Sequence, residues 1–239
     1  MKLALFLLCH TLAATANHVL PWYIKQCSIS DPNLNQCILR NGNLAIPEMV
    51  KGDCFFNNPI SVPLFVPEIN LLGDDFTASL RSVYVRGFET FKLTDVGFNL
   101  ANRDQFIVVE SPILEISADY IIYDRNKLIR SVQGGGKLEA VLHQNIANYT
   151  PTVEQRQENG KIYLNLLSDN LRLTTKKIYH EFSGIYSNYY GNLNWFIKKQ
   201  KIIIDEKLRP AMAKLLLNYL SNITINLSKK LSVFEIFTP

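Results

Sequence analysis

Three cysteines, Cys27, Cys37 and Cys54, are the residues whose type and spacing most clearly indicate chemistry. Cys27 and Cys37 flank a short polar loop, so in an oxidising compartment they are natural disulfide partners. Closing a loop of this size is worth roughly 2–3 kcal/mol in the chain-entropy model. Cys54 would then be left over, either as a buried inert thiol or as a reactive or intermolecular one. The spacing of the pair does not suit zinc, and no second pair of ligands accompanies it.

The remaining residues with catalytic potential do not form a known constellation. His18, His143 and His180 lie in three different segments, without carboxylates or cysteines at metal-ligand spacing. The sequence contains no G-x-S-x-G motif, which argues against a lipase or esterase. Gly134-Gly135-Gly136 resembles a phosphate-binding loop only superficially, because a strand pattern follows it, and we interpret it as a hairpin turn. We therefore expect no enzymatic activity, no metal site and no cofactor.

The N-terminal residues 1–16 are typical of a secretory signal peptide. Lys2 supplies the positive charge, Leu3 begins a short apolar stretch, and Ala14-Thr15-Ala16 offers a cleavage site with small residues. We expect an extracellular protein with one domain over residues 17–239. No later segment is apolar over the length that a bilayer requires, so no stable membrane insertion is expected. The net charge of +4 is too small and too dispersed to favour nucleic acid.

Hydrophobic periodicity divides the rest of the chain into helix, sheet and helix. Residues 17–43 are predicted to form an N-terminal helix interrupted by the cysteine loop, with Asp31 as N-cap and Pro32 in the first turn. The proline-rich stretch 46–67 is expected to be extended and irregular and to cross the outside of the fold. From residue 76 to 175 apolar and polar side chains alternate, which predicts antiparallel strands with one apolar face.

A long amphipathic helix of about 25–30 residues is predicted at the C-terminal end, beginning between Asn194 and Asp205. The apolar face of the sheet and the apolar stripe of this helix each need a partner, so the sheet is expected to curl around the helix. Turns between the strands are predicted at Asn102-Arg103-Asp104, Asp124-Arg125-Asn126, Gly134-Gly135-Gly136 and Glu158-Asn159-Gly160.

The periodicity assigns one set of apolar side chains to the interior. These are Leu114, Ile116, Tyr120, Leu138, Leu142, Ile162 and Leu164 in the strands, with Leu216 and Leu220 in the helix. In a chain with 13 Phe and 11 Tyr they could line a site for an oily ligand or fill an ordinary core, and the pattern alone does not decide. If they line a site, the Tyr120 hydroxyl is expected to orient a polar group of the ligand.

Three sequons, at Asn148, Asn222 and Asn226, offer glycosylation sites to a secreted protein. Asn148 is predicted to lie in a loop before Pro151, and we expect it to be the modified residue. Asn222 and Asn226 are four residues apart and share one stripe of the last helix, which an enclosing sheet would hide.

Four motifs along the chain share their pattern with one known family. Leu20 to Cys27, followed by Asp31-Pro32-Asn33-Leu34-Asn35-Gln36-Cys37, is similar to an N-terminal cysteine motif of that family. The other three are Tyr120-Ile121-Ile122-Tyr123 with Gly134, Gly136 and Lys137, then Asn194-Trp195-Phe196, and finally Phe234 to Pro239. Together they resemble the takeout / juvenile hormone binding protein family of insects.

The resemblance implies an α+β fold, in which a highly curved antiparallel sheet forms a super-roll around the long C-terminal helix and encloses a hydrophobic tunnel. It implies a monomeric carrier of juvenile hormone, another terpenoid or a fatty molecule, in insect haemolymph or sensory fluid. The alternative is a secreted signalling protein of the same fold, which acts through a cell-surface receptor or a lipid surface without a specific cargo. We expect residues 19–43 to fold over the mouth of the cavity, with Trp22 and Ile24 as its gate.

Overall fold

A computed structural model describes residues 20–52, 61–72, 76–124, 133–187 and 193–239. The predicted signal peptide, His18, Cys54 and the predicted turn at residues 125–126 lie outside the described residues. Within the described ranges, no helix is both long enough and apolar enough to cross a membrane.

The N-terminal region contains a short strand, β1 (Cys27–Ser28), and helix α1 (Leu34–Met49). The predicted disulfide is confirmed, because Cys27 and Cys37 are bonded and their Cα atoms lie 5.9 Å apart. The bond joins β1 to the first turn of α1, so it fixes the direction in which the chain enters the helix.

Two details of the predicted N-terminal helix are wrong. Helix α1 begins after Asn33, because the Asp31 carboxylate accepts a hydrogen bond from the Asn33 N–H (2.8 Å) in a preceding turn and does not cap the helix. The helix also continues to Met49 instead of giving way to extended chain. Pro47 lies in its last turn, where the missing N–H leaves only one carbonyl without its usual partner.

Strand β2 (Leu64–Leu72) replaces the last part of the stretch that we expected to be irregular. It pairs with β3 (Phe76–Arg86) and forms one edge of the sheet. Pro67 is tolerated within β2 because the ladder to β3 skips this residue, and an edge strand can leave a backbone position unpaired.

The sheet is antiparallel throughout, as the alternation predicts. A 3₁₀ turn (Phe88–Thr90) precedes the remaining strands, which are β4 (Lys92–Gly97), β5 (Phe106–Asp124), β6 (Gln133–Glu158) and β7 (Lys161–Ser187). The strand order is β2-β3-β5-β6-β7, and β4 also pairs with β5. Strands β6 and β7 contain 26 and 27 residues, several times the usual strand length.

The hairpin that joins β6 to β7 has the predicted turn at Asn159-Gly160. Both residues have positive φ, 51° and 76°, and an Asn-Gly pair adopts this conformation readily. The predicted turn at Asn102-Arg103-Asp104 lies in the connection between β4 and β5.

The predicted turn at Gly134-Gly135-Gly136 is wrong, because these residues belong to β6: all three pair with β5, and Gly134 and Gly135 also pair with β7. A Cβ atom at Gly136 would lie 2.6 Å from the Ser183 carbonyl oxygen and 3.1 Å from the Tyr120 hydroxyl. Glycine is therefore needed at this position for close packing rather than for a turn.

Asn148 also lies in β6, between Val108 of β5 and Arg172 of β7, and not in a loop before Pro151. Pro151 belongs to the strand as well, and its carbonyl accepts a hydrogen bond from the Gln105 N–H (3.0 Å). The missing N–H of Pro151 would point in the same direction, past the start of β5. The strand can thus continue through the proline without losing a ladder bond to β7.

The C-terminal helix α2 (Leu193–Lys230) has 38 residues and is longer than predicted, because Pro210 does not interrupt it. It packs against both β2 and β7, which are the opposite edges of the strand order, so the sheet curves around it. The expectation that the sheet hides Asn222 is wrong, since Asn222 is exposed, whereas Asn226 is half-buried.

After α2 the chain forms a short helix, α3 (Val233–Ile236), and strand β8 (Phe237–Thr238). Strand β8 pairs in parallel with β1, so the C-terminus holds the N-terminal segment in place. The N-terminal segment is thus held by strand pairing as well as by the disulfide.

Candidate functional site

The concave face of the sheet is built by strict alternation along the central strands. In β5 the side chains of Leu114, Ile116, Ala118, Tyr120 and Ile122 are buried, and the residues between them face outward. Leu138, Ala140 and Leu142 continue the same face in β6. A period of two in side-chain direction produces this separation, and the sequence pattern predicted it.

Helix α2 supplies the opposite wall with residues spaced four apart. Ile204, Leu208, Met212 and Leu216 are each no more than 2% exposed. This spacing keeps side chains on one face of a helix. The stripe packs in the same hydrophobic cluster as the inward residues of β3, β5 and β6.

Most of the predicted interior residues share this cluster. They are Leu114, Ile116, Tyr120, Leu138, Leu142 and Leu216, with Leu220 half-buried against them. Ile162 and Leu164 do not join this set. They pack in a second cluster, near the tip of the β6–β7 hairpin, with Phe98 and Phe237.

A belt of three buried polar side chains crosses the inner face beyond Leu142. Gln144 has a positive φ of 52°, which turns the strand so that Asn145 faces inward. The Asn145 amide donates to the Leu142 carbonyl (2.8 Å), and its oxygen accepts from the Thr175 hydroxyl (2.9 Å). Ser111 lies opposite Asn145 on β5 and is also buried. The belt is hydrogen-bonded internally, so it can lie in the core at little cost.

A second polar group lies farther along the same face, where α2 contacts β6 and β7. The Tyr149 hydroxyl donates to the Asp169 carboxylate (2.9 Å) and lies 3.3 Å from the Thr224 hydroxyl. Asp169 also accepts a hydrogen bond from Ser221. Burial raises the pKa of Tyr149 to about 12, so the phenol stays protonated and can donate at any physiological pH. None of these residues was predicted from the sequence to belong to a site.

Around Tyr120 the inner face combines aromatic rings with very small residues. Phe182 of β7 lies between two other rings, 5.2 Å from Tyr120 and 5.3 Å from His180 between centroids. Ala118, Gly136 and Ala140 are the inward residues beside this row. Because small residues lie next to large rings, the surface of the inner face is uneven.

His180 is a polar residue of this apolar face that the sequence analysis treated as isolated. Its side chain is 5% exposed, and its Nδ1 has no hydrogen-bond partner among the described residues. The nearest charged atom is Oδ1 of Asp205 on α2, at 3.4 Å. Burial lowers the pKa of the imidazole, against the opposing effect of Asp205. The signal was present in the sequence, because His180 has the same phase as Ile178 and Phe182 in β7.

The sequence matches the family model of the haemolymph juvenile hormone binding protein over residues 4–238. The chain belongs to this family. Its fold is similar to that of Takeout 1 from Epiphyas postvittana, with a TM-score of 0.71 and 14% identity over 90% of this chain and 100% of that one. The structure of lipopolysaccharide binding protein is a weaker match, with a TM-score of 0.43 and 10% identity over 80% of this chain and 38% of that one. None of the curated proteins matches the sequence.

The two residues predicted as a gate, Trp22 and Ile24, lie away from the inner face of the sheet. Trp22 is 79% exposed, and its ring meets the Tyr23 ring edge-on at 5.8 Å. Ile24 is half-buried in a small cluster with Tyr23, Ala45 and Leu231, near the C-terminal end of α2. The N-terminal segment therefore covers that end of the helix.

Two open cavities lie at the rim of the sheet, beside the connection between β4 and β5. One, of about 240 Å³, is lined by Leu100, Arg103, Gln155 and Leu164 among others, so it includes one predicted ligand residue. The other, of about 460 Å³, is lined by Asp104, Phe106, Ser168 and Asp169 among others. Neither has a lining residue from α2. Among the described residues, no group of three or more His, Cys, Asp or Glu is placed to hold a metal ion.

Proposed function

We propose that the protein is a secreted, non-enzymatic carrier that holds a small hydrophobic molecule in an internal cavity between the concave face of the sheet and α2. Juvenile hormone, another terpenoid or a fatty molecule would be its cargo, and insect haemolymph or a similar extracellular fluid its place of action. Membership of the juvenile hormone binding protein family supports hydrophobic ligand binding. The signal-peptide pattern of residues 1–16 supports secretion.

The observation that carries this proposal is the composition of the face around Tyr120. Apolar side chains from three strands and from α2 converge there, with small residues at Ala118, Gly136 and Ala140. Ligand sites for oily molecules are lined in this way, with a few polar groups that orient the ligand. The proposed lining is Leu114, Ile116, Tyr120, Leu138, Leu142, Leu216 and Leu220.

Ile162 and Leu164 are left out of the proposed lining, because the buried polar belt and the second polar group, here called the second belt, lie between them and the Tyr120 region. Asn145 and Thr175 form the first, and Tyr149 and Asp169 belong to the second. An apolar ligand that lay across both belts would leave these polar groups facing hydrocarbon, so we expect the cargo to stay on the Tyr120 side.

The direct test is to purify the secreted protein, extract it with organic solvent and identify the extract by mass spectrometry. We expect a stoichiometric apolar molecule, and we expect it to displace a fluorescent apolar probe from the delipidated protein. A protein that carries no cargo and binds no probe would refute the carrier function and leave receptor or lipid-surface docking as the activity to test.

Tyr120→Phe tests the site itself. Removing one hydroxyl that orients an oxygenated ligand should weaken binding by about 1–2 kcal/mol, which is roughly 5- to 30-fold in Kd. Tyr84→Phe is the matched control, because Tyr84 is exposed on the convex face of the sheet. Equal affinities for the two variants and the wild type would remove Tyr120 from the binding site.

A further inference from the structure

Among the described residues of the apolar inner face, His180 has a buried polar atom, Nδ1, that makes no hydrogen bond, although the Asp205 carboxylate lies at ion-pair distance. Buried polar groups in proteins are almost always hydrogen-bonded, so an unpaired one calls for a group that the protein alone does not supply. The Nδ1 atom has no hydrogen bond among the described residues, and its side chain is buried. Its cross-strand neighbour on β6 is Ala140, which has a small side chain.

The chemistry beside His180 restricts which ligand group can occupy this position. The Asp205 carboxylate lies 3.4 Å from Nδ1, and a carboxylate only accepts hydrogen bonds. Lys201, one turn earlier on α2, acts on the imidazole more weakly than Asp205. A second acceptor placed here, such as an ester carbonyl, an epoxide oxygen or a fatty carboxylate, would face Asp205 across a short distance and be repelled.

A hydroxyl group fits both neighbours at once. It can donate its hydrogen to the Asp205 carboxylate and accept a hydrogen bond from Nδ1–H of a neutral imidazole. Burial favours that neutral form by lowering the pKa of His180. The hydrocarbon part of the same molecule would then lie along Phe182 and Tyr120, whose rings continue the row from His180.

We infer that the cargo of this protein is a neutral apolar alcohol, whose hydroxyl group approaches His180 and Asp205 from one side and hydrogen-bonds to both. The inference rests on the proposed carrier function and narrows its ligand class to apolar molecules with a free hydroxyl, so among the cargoes proposed above it favours a terpenoid or fatty alcohol and excludes juvenile hormone, which is an epoxide ester. His180 and Asp205 then determine which ligand is preferred. The apolar lining supplies most of the affinity but does not distinguish ligands by their polar end group.

The test is a competition assay on the full mature protein, in which dodecanol, methyl dodecanoate and dodecanoate displace a fluorescent apolar probe. We expect dodecanol to bind about 5- to 10-fold more tightly than the ester or the acid, the effect of one or two well-placed hydrogen bonds. His180→Leu should abolish this preference while the protein still binds all three compounds.

Two further variants separate the specific effect from a loss of structure. His143→Leu makes the same chemical change at a position paired with Ile113 and Lys177, whose side chains are exposed on the convex face, and should leave the preference unchanged. Asp205→Asn alters a half-exposed side chain that is not part of the buried stripe, and its neutral amide should bring ester and alcohol within about twofold of each other.

The outcomes distinguish the two proposals. If the probe does not bind at all, the carrier function itself fails. If all compounds bind but the wild type prefers the ester or the acid, or if His180→Leu and Asp205→Asn both retain the alcohol preference, the assignment of His180 and Asp205 is overturned and the carrier function stands.

Discussion

The Glu235 carboxylate accepts several hydrogen bonds close to the C-terminus. It accepts hydrogen bonds from the backbone N–H and the hydroxyl of Ser232, both at 2.7 Å, and from the Lys161 ammonium at 2.9 Å. Partial burial raises the pKa of Glu235, but these donors outweigh it and bring the pKa down to about 2. Because α3 leads directly into β8, the carboxylate helps to hold the pairing between β8 and β1.

The depressed pKa of Glu235 predicts a pH-dependent contribution to stability. A carboxyl group whose pKa is lower in the folded state stabilises the fold above its ordinary value of 4.5, and the contribution disappears as the pH falls toward 2. Glu235→Gln should therefore lower the free energy of unfolding by about 1 kcal/mol at pH 7, as the loss of a capping interaction does. Urea unfolding at pH 7, 4 and 2 measures this difference, which should be mostly lost at pH 2, where about half of the Glu235 carboxyl groups are protonated in the folded state.

The control for this prediction is Glu139→Gln, which changes an exposed carboxylate on the convex face of β6. Its effect should stay within about 0.5 kcal/mol, as is usual for surface substitutions. A Glu235→Gln protein that is as stable as the wild type at pH 7 would show that the helix cap does not hold the C-terminus.

Individual side-chain directions were predictable from the sequence, whereas positions along a long strand were not. Alternation correctly assigned Leu114, Ile116 and Tyr120 to the interior. It also grouped Leu164 with them, although β7 carries Leu164 and His180 sixteen residues apart. At the usual rise per residue they lie about 50 Å apart along the strand, so a shared face does not mean a shared site.

At the scale of elements, α1 is attached to the sheet by the side chain of Asn43, which makes hydrogen bonds that a neighbouring strand would otherwise make. The Asn43 amide donates to the Leu93 carbonyl (2.9 Å), and its oxygen accepts from the Leu93 N–H (2.8 Å). Strand β4 pairs with β5 along its other edge, so Asn43 satisfies backbone groups that would otherwise be unpaired. One side chain thus takes the place of a neighbouring strand.

Replacing Asn43 by alanine should separate α1 from β4. Two part-buried backbone groups of Leu93 would lose their partners, and the expected loss of stability is about 1–3 kcal/mol. Chemical unfolding measures this loss, and Asn218→Ala on the exposed side of α2 is the matched control. If both variants unfold at the same denaturant concentration as the wild type, solvent satisfies Leu93 and the contact does not fix α1.

Local sequence signals failed where tertiary packing decided the structure. Three consecutive glycines ordinarily indicate a turn, but Gly136 is required in β6 because the Tyr120 ring and the β7 backbone approach it too closely for a Cβ. Pro47 and Pro210 both lie inside helices although their side chains are exposed, because each removes only one backbone hydrogen bond from a helix that packs against the sheet along its other face. The contacts responsible are distant in sequence, so no local pattern could reveal them.

At the scale of the whole molecule, residues 26–28 and residues 235–239 hold each other in place, and we call this set of contacts the lock. The Gln26 side chain donates to the Glu235 carbonyl (3.0 Å), and the Ser28 hydroxyl donates to the Pro239 carbonyl (2.9 Å). The β1–β8 ladder adds only two residue pairs. Opening this lock disrupts far fewer interactions than opening the sheet, whose strands pair over most of their length.

The N-terminal segment is therefore the part of the fold that opens most easily, and the disulfide limits its movement. In a Cys27→Ser/Cys37→Ser protein, the segment would no longer be tethered to α1. We expect amide hydrogen exchange at residues 24–29 to rise about tenfold or more, while amides in β5 and β6 of the same sample stay protected. We expect a bound apolar probe to dissociate at an unchanged rate, because the segment packs near the C-terminal end of α2, beyond the Asn145 and Tyr149 polar groups that separate it from the Tyr120 side.

Both readouts are needed to locate the entrance. Faster exchange at residues 24–29 with an unchanged dissociation rate would mean that the lock opens but does not guard the cavity. Faster dissociation together with faster exchange in β5 and β6 would mean that removing the disulfide loosens the whole fold, a loss that chain entropy puts at about 2–3 kcal/mol for this loop. Faster exchange confined to residues 24–29 together with faster release would assign the gate to the N-terminal segment and would contradict a cargo confined to the Tyr120 side.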